Sequence, residues 1–422
     1  MELAELESKS VEELQDIAKG LDIPDYNRLR KQELTHRILQ TNSDEDGLIF
    51  GRGVLEILAP DGWGFLRHDN FNPAPDDIYV SQTQIKKFNL KTGDWVSGKV
   101  RPPKASEKYY GLLRVEAVND LDPDQARQRR DFDELTPSYP DQRLVMETTP
   151  QGIPARFIDL IAPIGKGQRG VIQSPPKAGK TTLLKTIANS VAVNHPEVFL
   201  IVLLVDERPE EVTDIRRSVH GQVVSSTFDE LPENHIRVAE MVLEESKRLV
   251  ESGRDVVVLL DSLTRLARAS NLTVNSSGRT LTGGLDPAAM YRPKRFFGAA
   301  RNVEGGGSLT IIATALVETG SRMDDFIFEE MKGTSNWDVK LDRTLQERRV
   351  FPAIDIKSSG TRHDELLYDE ETLKQIWKLH RAMSALSTVD ATELLIDRLR
   401  HTKTNKEFLT VVDKTLKDKE LD

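Results

Sequence analysis

The sequence of 422 residues contains no cysteine. This excludes disulfide bonds and thiolate metal sites, and it is typical of proteins from reducing compartments. No stretch approaches the ~20 consecutive apolar residues that span a bilayer. The first residues, Met-Glu-Leu-Ala-Glu-Leu-Glu, are acidic and have neither the basic nor the apolar region of a secretion signal. We therefore expect a cytoplasmic protein that has no membrane as a partner.

The charge is negative overall but unevenly distributed. The formal net charge is −10, yet residues 1–47 carry 6 basic and 12 acidic side chains, whereas residues 48–118 carry 10 basic and 8 acidic ones. Because phosphate groups are bound by local cationic patches, an acidic total does not exclude nucleic acid as a partner.

The chain is long enough for two or three domains, at ~100–200 residues each, and its patterning changes along its length. Residues 1–47 are predicted to be helical, with a capping-box pattern at Ser10 and apolar residues at helical spacing. Residues 48–118 contain five short β-type runs separated by turns, which predict a small closed barrel. Residues 119–145 are polar and predict a linker. Residues 146–422 alternate apolar strands with amphipathic helices, which predicts an α/β domain around a buried parallel sheet.

A phosphate cradle is predicted where an apolar strand, a tight turn and an apolar helix follow one another over residues 170–186. Lys180 can reach the β and γ phosphates of a nucleotide, and the hydroxyl of Thr181 can hold Mg²⁺. The loop departs from G-x-x-x-x-G-K-[ST] because Ser174 stands where the first glycine belongs, and two prolines follow it. The alternative is a helix that happens to begin with Gly-Lys-Thr.

Four further residues have both a functional and an ordinary interpretation. Asp261 ends a buried strand, where a carboxylate serves Mg²⁺ or caps a turn. Glu207 ends another strand and either activates the attacking water or belongs to a solvated charge cluster. Arg362 is either an arginine finger or a surface residue. Phe351 either stacks on adenine or belongs to the core.

The predicted barrel contains aromatic residues among cations, as single-strand binding surfaces do. They include Trp63, Phe65, Tyr79 and Tyr109, and alternation places Trp63 and Phe65 on the same strand face, which is either a binding surface or the barrel interior. Two later loops, 276–284 and 319–323, each present one cation together with backbone amides. They suit contact with a phosphate backbone, or they are ordinary connections.

Several segments carry a close resemblance to the bacterial transcription termination factor Rho family, over nearly the whole chain. They are Asp61-Gly-Trp-Gly-Phe-Leu-Arg67, Asp76-Asp-Ile-Tyr-Val80, Ser174-Pro-Pro-Lys-Ala-Gly-Lys-Thr181, Asp206-Glu-Arg-Pro-Glu-Glu211, Leu281-Thr-Gly-Gly-Leu-Asp286, Arg292-Pro-Lys-Arg-Phe-Phe-Gly-Ala-Ala-Arg301 and Ser359-Gly-Thr-Arg362. The Pro-Pro-Lys form of the phosphate loop is normal for this family, which accounts for the missing glycine.

The resemblance implies a multi-domain fold with a small N-terminal helical segment, an OB-fold β-barrel and a RecA-like α/β P-loop NTPase core. It implies a homohexameric ring that binds ATP and Mg²⁺ between subunits. The ring would hydrolyse ATP in response to C-rich single-stranded nascent RNA, move 5′→3′ as an RNA–DNA helicase and terminate transcription. The implied partners are RNA, the RNA polymerase elongation complex with its elongation factors, and further copies of the chain.

The same resemblance implies roles for particular residues. The catalytic set is Glu207, Lys180, Arg362 and Arg208. The ATP-binding set is Ser174, Pro175, Pro176, Lys177, Ala178, Gly179, Lys180, Thr181, Thr182, Arg208, Arg349 and Phe351. The metal-binding pair is Thr181 and Asp261. The primary RNA site is Trp63, Phe65, Arg67, Asp77, Tyr79, Glu107 and Tyr109, and the secondary RNA site is Arg279, Thr282, Gly283, Thr319, Gly320 and Arg322.

Two other functions fit parts of the sequence. A RecA-fold rotary or transport ATPase subunit would account for the phosphate cradle but would not need the aromatic residues of the barrel. A non-enzymatic RNA-binding protein would account for the barrel but would leave Lys180, Thr181, Asp261 and Glu207 without a use.

Overall fold

The structure is a computed structural model that describes residues 9–21, 23, 26, 34, 37–38, 49–104 and 107–420. The chain divides into two compact units. One comprises Met1–Glu134 with Leu243–Ser252, and the other comprises Leu135–Val242 with Gly253–Asp422. Within the described ranges, no helix is long and apolar enough to cross a membrane.

The first unit begins with helix α1 (Val11–Gly20). Its start is the predicted capping box, because the Ser10 hydroxyl accepts from the backbone N–H of Glu13 and the Glu13 carboxylate accepts from that of Ser10. Leu14 and Ala18 pack in a small apolar cluster with Leu34, Ile38 and Phe50. The N-terminal helical segment is thus confirmed, while the part of the second predicted run around residue 29 lies outside the described residues.

A closed five-stranded barrel follows, with one short helix, α2 (Gln82–Phe88), between its third and fourth strands. The strands are β1 (Ile49–Leu58), β2 (Trp63–Arg67), β3 (Ile78–Val80), β4 (Trp95–Arg101) and β5 (Tyr110–Val118). They pair in the order β1-β2-β3-β5-β4 and close through β1 and β4, with β3 and β5 parallel and the other neighbours antiparallel. The interior is apolar, as the prediction of a small OB-type barrel requires.

The stretch predicted as a polar linker, 119–145, is packed over its first half. After helix α3 (Pro123–Ala126), Phe132 is buried. The guanidinium of Arg129 bonds both carboxylate oxygens of Asp94, at 2.7 and 2.6 Å, and Glu251 at 3.0 Å. These charge-assisted bonds explain why a segment rich in arginine and acid residues is ordered rather than solvated.

The second unit contains a twisted sheet flanked by helices. Its strands are β6 (Pro137–Ser138), β7 (Arg143–Leu144), β8 (Ile164–Gly165), β9 (Arg169–Ser174), β10 (Phe199–Glu207), β11 (Gln222–Thr227), β12 (Asp255–Asp261), β13 (Arg301–Val303), β14 (Ser308–Leu316), β15 (Trp337–Lys340) and β16 (Gly360–Thr361). The main sheet has the order β11-β10-β12-β14-β9-β15-β16, and all of its pairs are parallel except β15 with β16. Strands β13 and β6 extend it beside β14, while β7 and β8 pair separately.

The helices that follow the strands complete this unit. They are α4 (Ile153–Ile161), α5 (Lys180–Asn194), α6 (Pro209–Ser218), α7 (Pro232–Glu251), α8 (Leu263–Thr273), α9 (Tyr291–Gly298), α10 (Arg322–Lys332), α11 (Arg343–Glu347), α12 (Glu370–Ser384), α13 (Thr388–Arg400) and α14 (Asn405–Glu420). Helix α7 belongs to this unit only as far as Val242, and its remainder belongs to the first unit. The central strands are buried along nearly their whole length, which confirms the expected parallel sheet covered on both faces. The carboxyl ends of β9, β10 and β12 therefore meet at one edge of the sheet.

Candidate nucleotide and RNA sites

The phosphate loop lies between the end of β9 and the start of α5. Lys177 and Gly179 have positive φ angles of 65° and 96°, so the loop turns sharply before Lys180 begins the helix. A side chain at 179 would meet no atom, so glycine is needed there for its backbone angle rather than for space. The first backbone amides of α5 have no partner within the helix, which suits them to an anion.

Lys180 joins the two acidic strand ends into one cluster. Its Nζ lies 2.5 Å from Oε1 of Glu207, at the end of β10, and 2.7 Å from Oδ1 of Asp261, at the end of β12. The hydroxyl of Thr314, from β14, donates to the same Asp261 oxygen at 2.7 Å. Glu207, Asp261 and Thr314 are buried, so this cluster is a dry, charged centre at the mouth of the loop.

The charges in this cluster perturb one another. Burial, and then the negative charge of Asp261, raise the pKa of Glu207 above its usual value, although Lys180 and Arg265 partly offset them. Burial by itself would lower the pKa of Lys180, but the charges of Asp261 and Glu207 outweigh it and raise that pKa. A carboxyl group whose pKa is moved toward neutrality is suited to accepting a proton from water.

A bulge directs Glu207 into the cluster. The pairing of β10 with β11 shifts register between Val205 and Glu207, and Asp206 between them has a φ of 57°. Arg265, on α8, holds this bulge through the backbone oxygen of Asp206 and through the Asp206 carboxylate at 3.2 Å. The second guanidinium nitrogen of Arg265 lies 3.7 Å from Glu207.

A cavity of about 300 Å³ opens beside the start of α5. Gly179 and Thr182 line one side, and Phe351 with Pro352 line another. Phe351 is 47% exposed, so the alternative interpretation of this residue as part of the core is not supported. An aromatic ring facing an apolar cavity next to a phosphate loop is suited to stacking on a base.

The three predicted arginines of the nucleotide site are all exposed. Arg208 precedes α6, and Arg349 has a φ of 62° just before Phe351. Arg362 follows β16, whose Thr361 pairs with Trp337, and Trp337 pairs with Gly170 near the beginning of β9. Arg362 is therefore level with Arg169, and five residues or roughly 16 Å of strand separate it from the phosphate loop at the end of β9 in its own chain.

The structure brings the two loops of the predicted secondary RNA site together. Gly283 has a φ of 78°, and a Cβ at this position would lie 2.5 Å from the backbone nitrogen of Met323. Arg279, Thr282 and Arg322 are exposed around this contact. Two segments that are far apart in sequence thus form one polar surface on which the cations Arg279 and Arg322 are exposed.

The rest of that surface is fixed by hydrogen bonds. The Thr319 hydroxyl donates to Asp324 at 2.7 Å, and Arg268 of α8 binds the same carboxylate with two bonds of 2.8 and 2.6 Å. Gly320, between Thr319 and Arg322, has a φ of 77°. Thr319 therefore orients the loop, and Arg322 is its exposed cation.

The predicted primary site is an aromatic cluster on the outer face of the barrel. The Phe65 ring lies 5.4 Å from Trp63, 6.1 Å from Tyr79 and 4.7 Å from Tyr109, measured between centroids. Ile78 and Val80, on either side of Tyr79, fill the interior instead, and Tyr110 packs against it. Alternation therefore places Trp63 and Phe65 outside, with Phe65 as the buried floor of the cluster.

Charged residues border the aromatic cluster. Arg67 lies 4.9 Å above the Phe65 ring and pairs with Asp77 and with Glu56, the latter at 2.7 Å. Asp77 is fully buried, and its Oδ1 has no hydrogen-bond partner within the described residues. A buried acceptor without a donor beside an aromatic face is suited to an N–H group of a base.

Glu107 completes the predicted primary set near the start of β5. Arg101 bonds both of its carboxylate oxygens, and this pair is the main cause that lowers the pKa of Glu107 to about 2. The carboxylate is therefore ionised over the physiological pH range.

Four residues of these sites were missing from the sequence-based prediction. Glu56 is recognisable only through strand pairing, since it lies opposite Phe65. Thr314 had a signal, because it is a polar residue in an otherwise apolar buried strand. Arg265 and Arg268 lie one turn apart on α8, directly after the Asp261 strand, and helical spacing from that strand would have indicated them.

Three family models match the chain. They are described as the Rho termination factor N-terminal domain, over residues 5–47, the Rho termination factor RNA-binding domain, over residues 51–124, and the ATP synthase alpha/beta family nucleotide-binding domain, over residues 154–361.

Relatives of known identity extend over the full length. The transcription termination factor Rho of Bacillus subtilis is 57% identical over 419 residues, which are 99% of this chain and 98% of that protein. Those of Thermotoga maritima and Salmonella typhimurium are 55% and 52% identical, over 98% of this chain and 97% and 100% of their own lengths.

Solved structures resemble the chain in fold. An ATPase of the type III secretion system of pathogenic bacteria has a TM-score of 0.54 at 22% identity, over 67% of this chain and 87% of its own. An ATP synthase subunit of Nanoarcheaum equitans has a TM-score of 0.56 at 17% identity, over 68% of this chain and 82% of its own. At these identities the likeness concerns the fold alone.

Fold, sites and matches together define an RNA-binding protein with a RecA-like nucleotide-binding ATPase domain. The rotary ATPases are relatives in fold, so the alternative of a rotary or transport subunit is not retained. The chain belongs to the transcription termination factor Rho family.

Proposed function

We propose that the protein is an RNA-stimulated ATPase that moves 5′→3′ along C-rich single-stranded RNA as a homohexameric ring, separates RNA–DNA hybrids and terminates transcription. Its partners would be nascent RNA and the RNA polymerase elongation complex with its elongation factors, in the cytoplasm. We also propose the division into an N-terminal subdomain (1–47), an RNA-binding barrel (48–118), a connecting segment (119–145) and an ATPase domain (146–422).

The observation that carries this proposal is the aromatic face of the barrel. Trp63, Tyr79 and Tyr109 surround the buried Phe65 ring outside the barrel core, where a purely structural aromatic would have no reason to lie. Stacking of bases on such rings contributes ~1–3 kcal/mol per base and tolerates sequence variation. The pairing groups of Arg67 and Asp77 beside the rings favour a base whose edge offers complementary donors and acceptors.

The phosphate loop and the acidic strand ends support binding of ATP with Mg²⁺. Lys180 and Lys177 would contact phosphate oxygens, and Phe351 would stack on adenine. The Thr181 hydroxyl and the buried Asp261 carboxylate are hard oxygen donors, which fit Mg²⁺ because that ion takes one or two protein oxygens together with phosphates. Bound there, Mg²⁺ would neutralise charge on the phosphates. The carboxylate of Glu207 would orient the attacking water and accept its proton.

Arg362 would act on the nucleotide of a neighbouring subunit. It lies roughly 16 Å of strand away from the loop of its own chain, which supports a role across an interface rather than within one chain. In a head-to-tail ring every interface repeats this contact. Arg208 and Arg349, also exposed, would lie at the same interface.

The loops at 276–284 and 319–323, which contact each other, would form a second RNA-binding site. Their exposed cations, Arg279 and Arg322, and the backbone around Gly283 and Gly320 suit a sugar–phosphate backbone rather than base edges. Binding of this kind is independent of sequence, as movement along RNA requires.

The test is ATP hydrolysis by the purified full-length chain with poly(C) or with duplex DNA. We expect turnover only with poly(C), because stacking needs unpaired bases. Equal turnover with both would contradict the proposal and favour a different ATPase. Tight poly(C) binding without any hydrolysis would instead favour an RNA-binding protein with a vestigial nucleotide site.

A further inference from the structure

A buried polar cluster lies just beyond the end of β11. The Nδ1 atom of His235, on α7, lies 2.7 Å from the hydroxyl oxygen of Ser226. That hydroxyl lies 3.0 Å from Oε2 of Glu230, and Oε1 of Glu230 accepts from the backbone N–H of Thr227 at 3.2 Å. Ser226 and His235 are both buried, at 0% and 5% exposure, so water does not compete for these bonds.

The direction of the bonds follows from the number of protons. An ionised carboxylate only accepts, so the single hydroxyl proton of Ser226 goes to Glu230. His235 must then donate from Nδ1 to the Ser226 oxygen, which fixes its neutral tautomer. His235 thus orients the Ser226 hydroxyl, and this hydroxyl binds Glu230 in the segment between β11 and α7.

This turn supports the backbone of Glu207. Thr227 pairs with Glu207 across the bulge, and Ser226 pairs with Val205 on its other side. The backbone N–H of Phe228 donates to the backbone oxygen of Glu207 at 3.2 Å. The segment that His235 anchors is therefore the one against which the irregular end of β10 is held.

We propose that His235 is a positioning residue for Glu207, and that the bond from its Nδ1 to Ser226 fixes the end of β11 and thereby the place of the Glu207 carboxylate. This inference rests on the function proposed above for Glu207. No atom of His235 need touch the nucleotide. A displacement of about 1 Å in a reacting group is enough to lower the rate a hundredfold.

The surroundings keep the imidazole uncharged. Burial is the largest influence and lowers the pKa of His235. Asp206, Glu230 and Glu233 act in the opposite direction, while Arg265 adds to the lowering. A neutral ring with one defined donor is what the bond to Ser226 requires.

The test compares three substitutions in the full-length chain. His235→Leu removes the donor. His235→Asn returns an amide N–H near the position of Nδ1, whereas His235→Gln carries the same amide farther out, near the position of Nε2. We expect kcat of poly(C)-stimulated hydrolysis to fall roughly 10- to 100-fold in His235→Leu and His235→Gln, with KM for ATP changed by less than about twofold. His235→Asn is expected to recover kcat to within about threefold of the parent.

Ser226→Ala tests the same bond from its other end and removes only one oxygen atom, so it serves if His235→Leu does not fold. It should lower kcat at least as much as His235→Leu does, because it also removes the bond from Ser226 to Glu230. The double variant should be no worse than Ser226→Ala alone, because both substitutions remove the bond between His235 and Ser226.

Equal losses in the Leu, Asn and Gln variants would overturn the inference, since the ring would then act only by its volume. A normal kcat in His235→Leu or Ser226→Ala would overturn it as well. Glu207→Gln distinguishes this inference from the proposed function on which it rests. Normal hydrolysis by Glu207→Gln would contradict the proposed role of Glu207. Loss of hydrolysis in Glu207→Gln together with normal hydrolysis in His235→Leu would contradict only the role of His235.

Discussion

The nucleotide cradle and the aromatic face of the barrel are built on opposite principles. In the cradle, Lys180, Glu207 and Asp261 converge from three elements into a buried, ion-paired cluster. On the barrel, rings from neighbouring strands spread over an outer face, and only Phe65 beneath them is buried. The cradle contains ion-paired side chains that are largely buried, whereas the barrel face exposes aromatic rings to the solvent.

The difference indicates what each site needs in order to work. Stacking surfaces act as soon as a base arrives, because every base has a π-face. A cluster of paired charges has to be rearranged by its ligand, since the Lys180 ammonium already has two carboxylate partners. Binding on the barrel should therefore be complete within one chain, whereas turnover in the cradle should depend on a group from outside it.

Replacement of Arg362 by alanine should give the largest difference between the effect on hydrolysis in the cradle and the effect on binding at the barrel. We expect RNA-stimulated turnover to fall by about 10³-fold or more, the range associated with arginine fingers. Binding of ATP and of poly(C) should remain nearly intact, because Arg362 is separated from its own phosphate loop along the sheet and does not belong to the unit that contains the aromatic face. The measurements are steady-state hydrolysis and fluorescence titrations, with the exposed Arg400→Ala as the control.

Mixed assemblies test whether Arg362 acts across an interface. Lys180→Ala chains provide an intact Arg362, and Arg362→Ala chains provide an intact Lys180. Equimolar mixing of the two inactive variants should restore activity at about a quarter of the interfaces if each site combines two chains. No recovery in assemblies shown to be mixed would contradict the role across an interface, and so would normal turnover by Arg362→Ala alone.

Replacement of Tyr79 by alanine should affect the barrel and spare the cradle. Loss of one stacking ring is expected to weaken poly(C) binding by about 1–3 kcal/mol, or roughly 5- to 150-fold. ATP affinity should not change. Tyr79→Phe keeps the ring and should keep most of the affinity, and Trp377→Ala, which removes an exposed ring on α12, should have no effect. Unchanged poly(C) binding in Tyr79→Ala would place the RNA elsewhere.

A smaller effect is expected where the loops 276–284 and 319–323 meet. Gly283→Ala would bring a Cβ to 2.5 Å from the Met323 backbone, whereas Gly284→Ala meets no atom. Both glycines have positive φ, 78° and 83°, so both substitutions cost about 1–2 kcal/mol of backbone strain. Only Gly283→Ala should also reduce stimulation of hydrolysis by RNA, by roughly fivefold. Equal effects of the two would mean that the contact between the loops is unimportant.

Much of this architecture could be predicted from the sequence. The continuous apolar strands predicted a buried parallel sheet, and strand ends of such a sheet meet at one edge, which is why Lys180, Glu207 and Asp261 could be expected together. The five short runs predicted the barrel. Alternation placed Trp63 and Phe65 on one strand face, but it did not indicate whether that face is the binding surface or the barrel interior.

What the sequence did not reveal depends on contacts between distant segments. Glu56 reaches Arg67 through strand register, and Gly283 meets Met323 through the packing of two loops. The segment 119–145 has the composition of a linker, yet Arg129 finds two buried carboxylates that composition cannot indicate. For Phe351 the residue pattern left stacking and the core open, and the cavity beside the exposed ring favours a ligand.

The pH dependence of hydrolysis should show the smallest but most specific effect. If Glu207 accepts the proton of the attacking water as proposed, its ionised form is the active one, so activity is lost as the pH falls through its pKa. Burial and the charge of Asp261 raise that pKa, so the loss should begin at a higher pH than for an ordinary glutamate. Arg265 lowers it, so Arg265→Gln should move the acid limb to still higher pH, while Arg265→Lys, which keeps the charge, should move it less. The quantity to measure is kcat/KM for ATP, because it reports groups of the free enzyme. An acid limb that stays in place in Arg265→Gln, or moves equally in both variants, would mean that Glu207 is not the group that titrates.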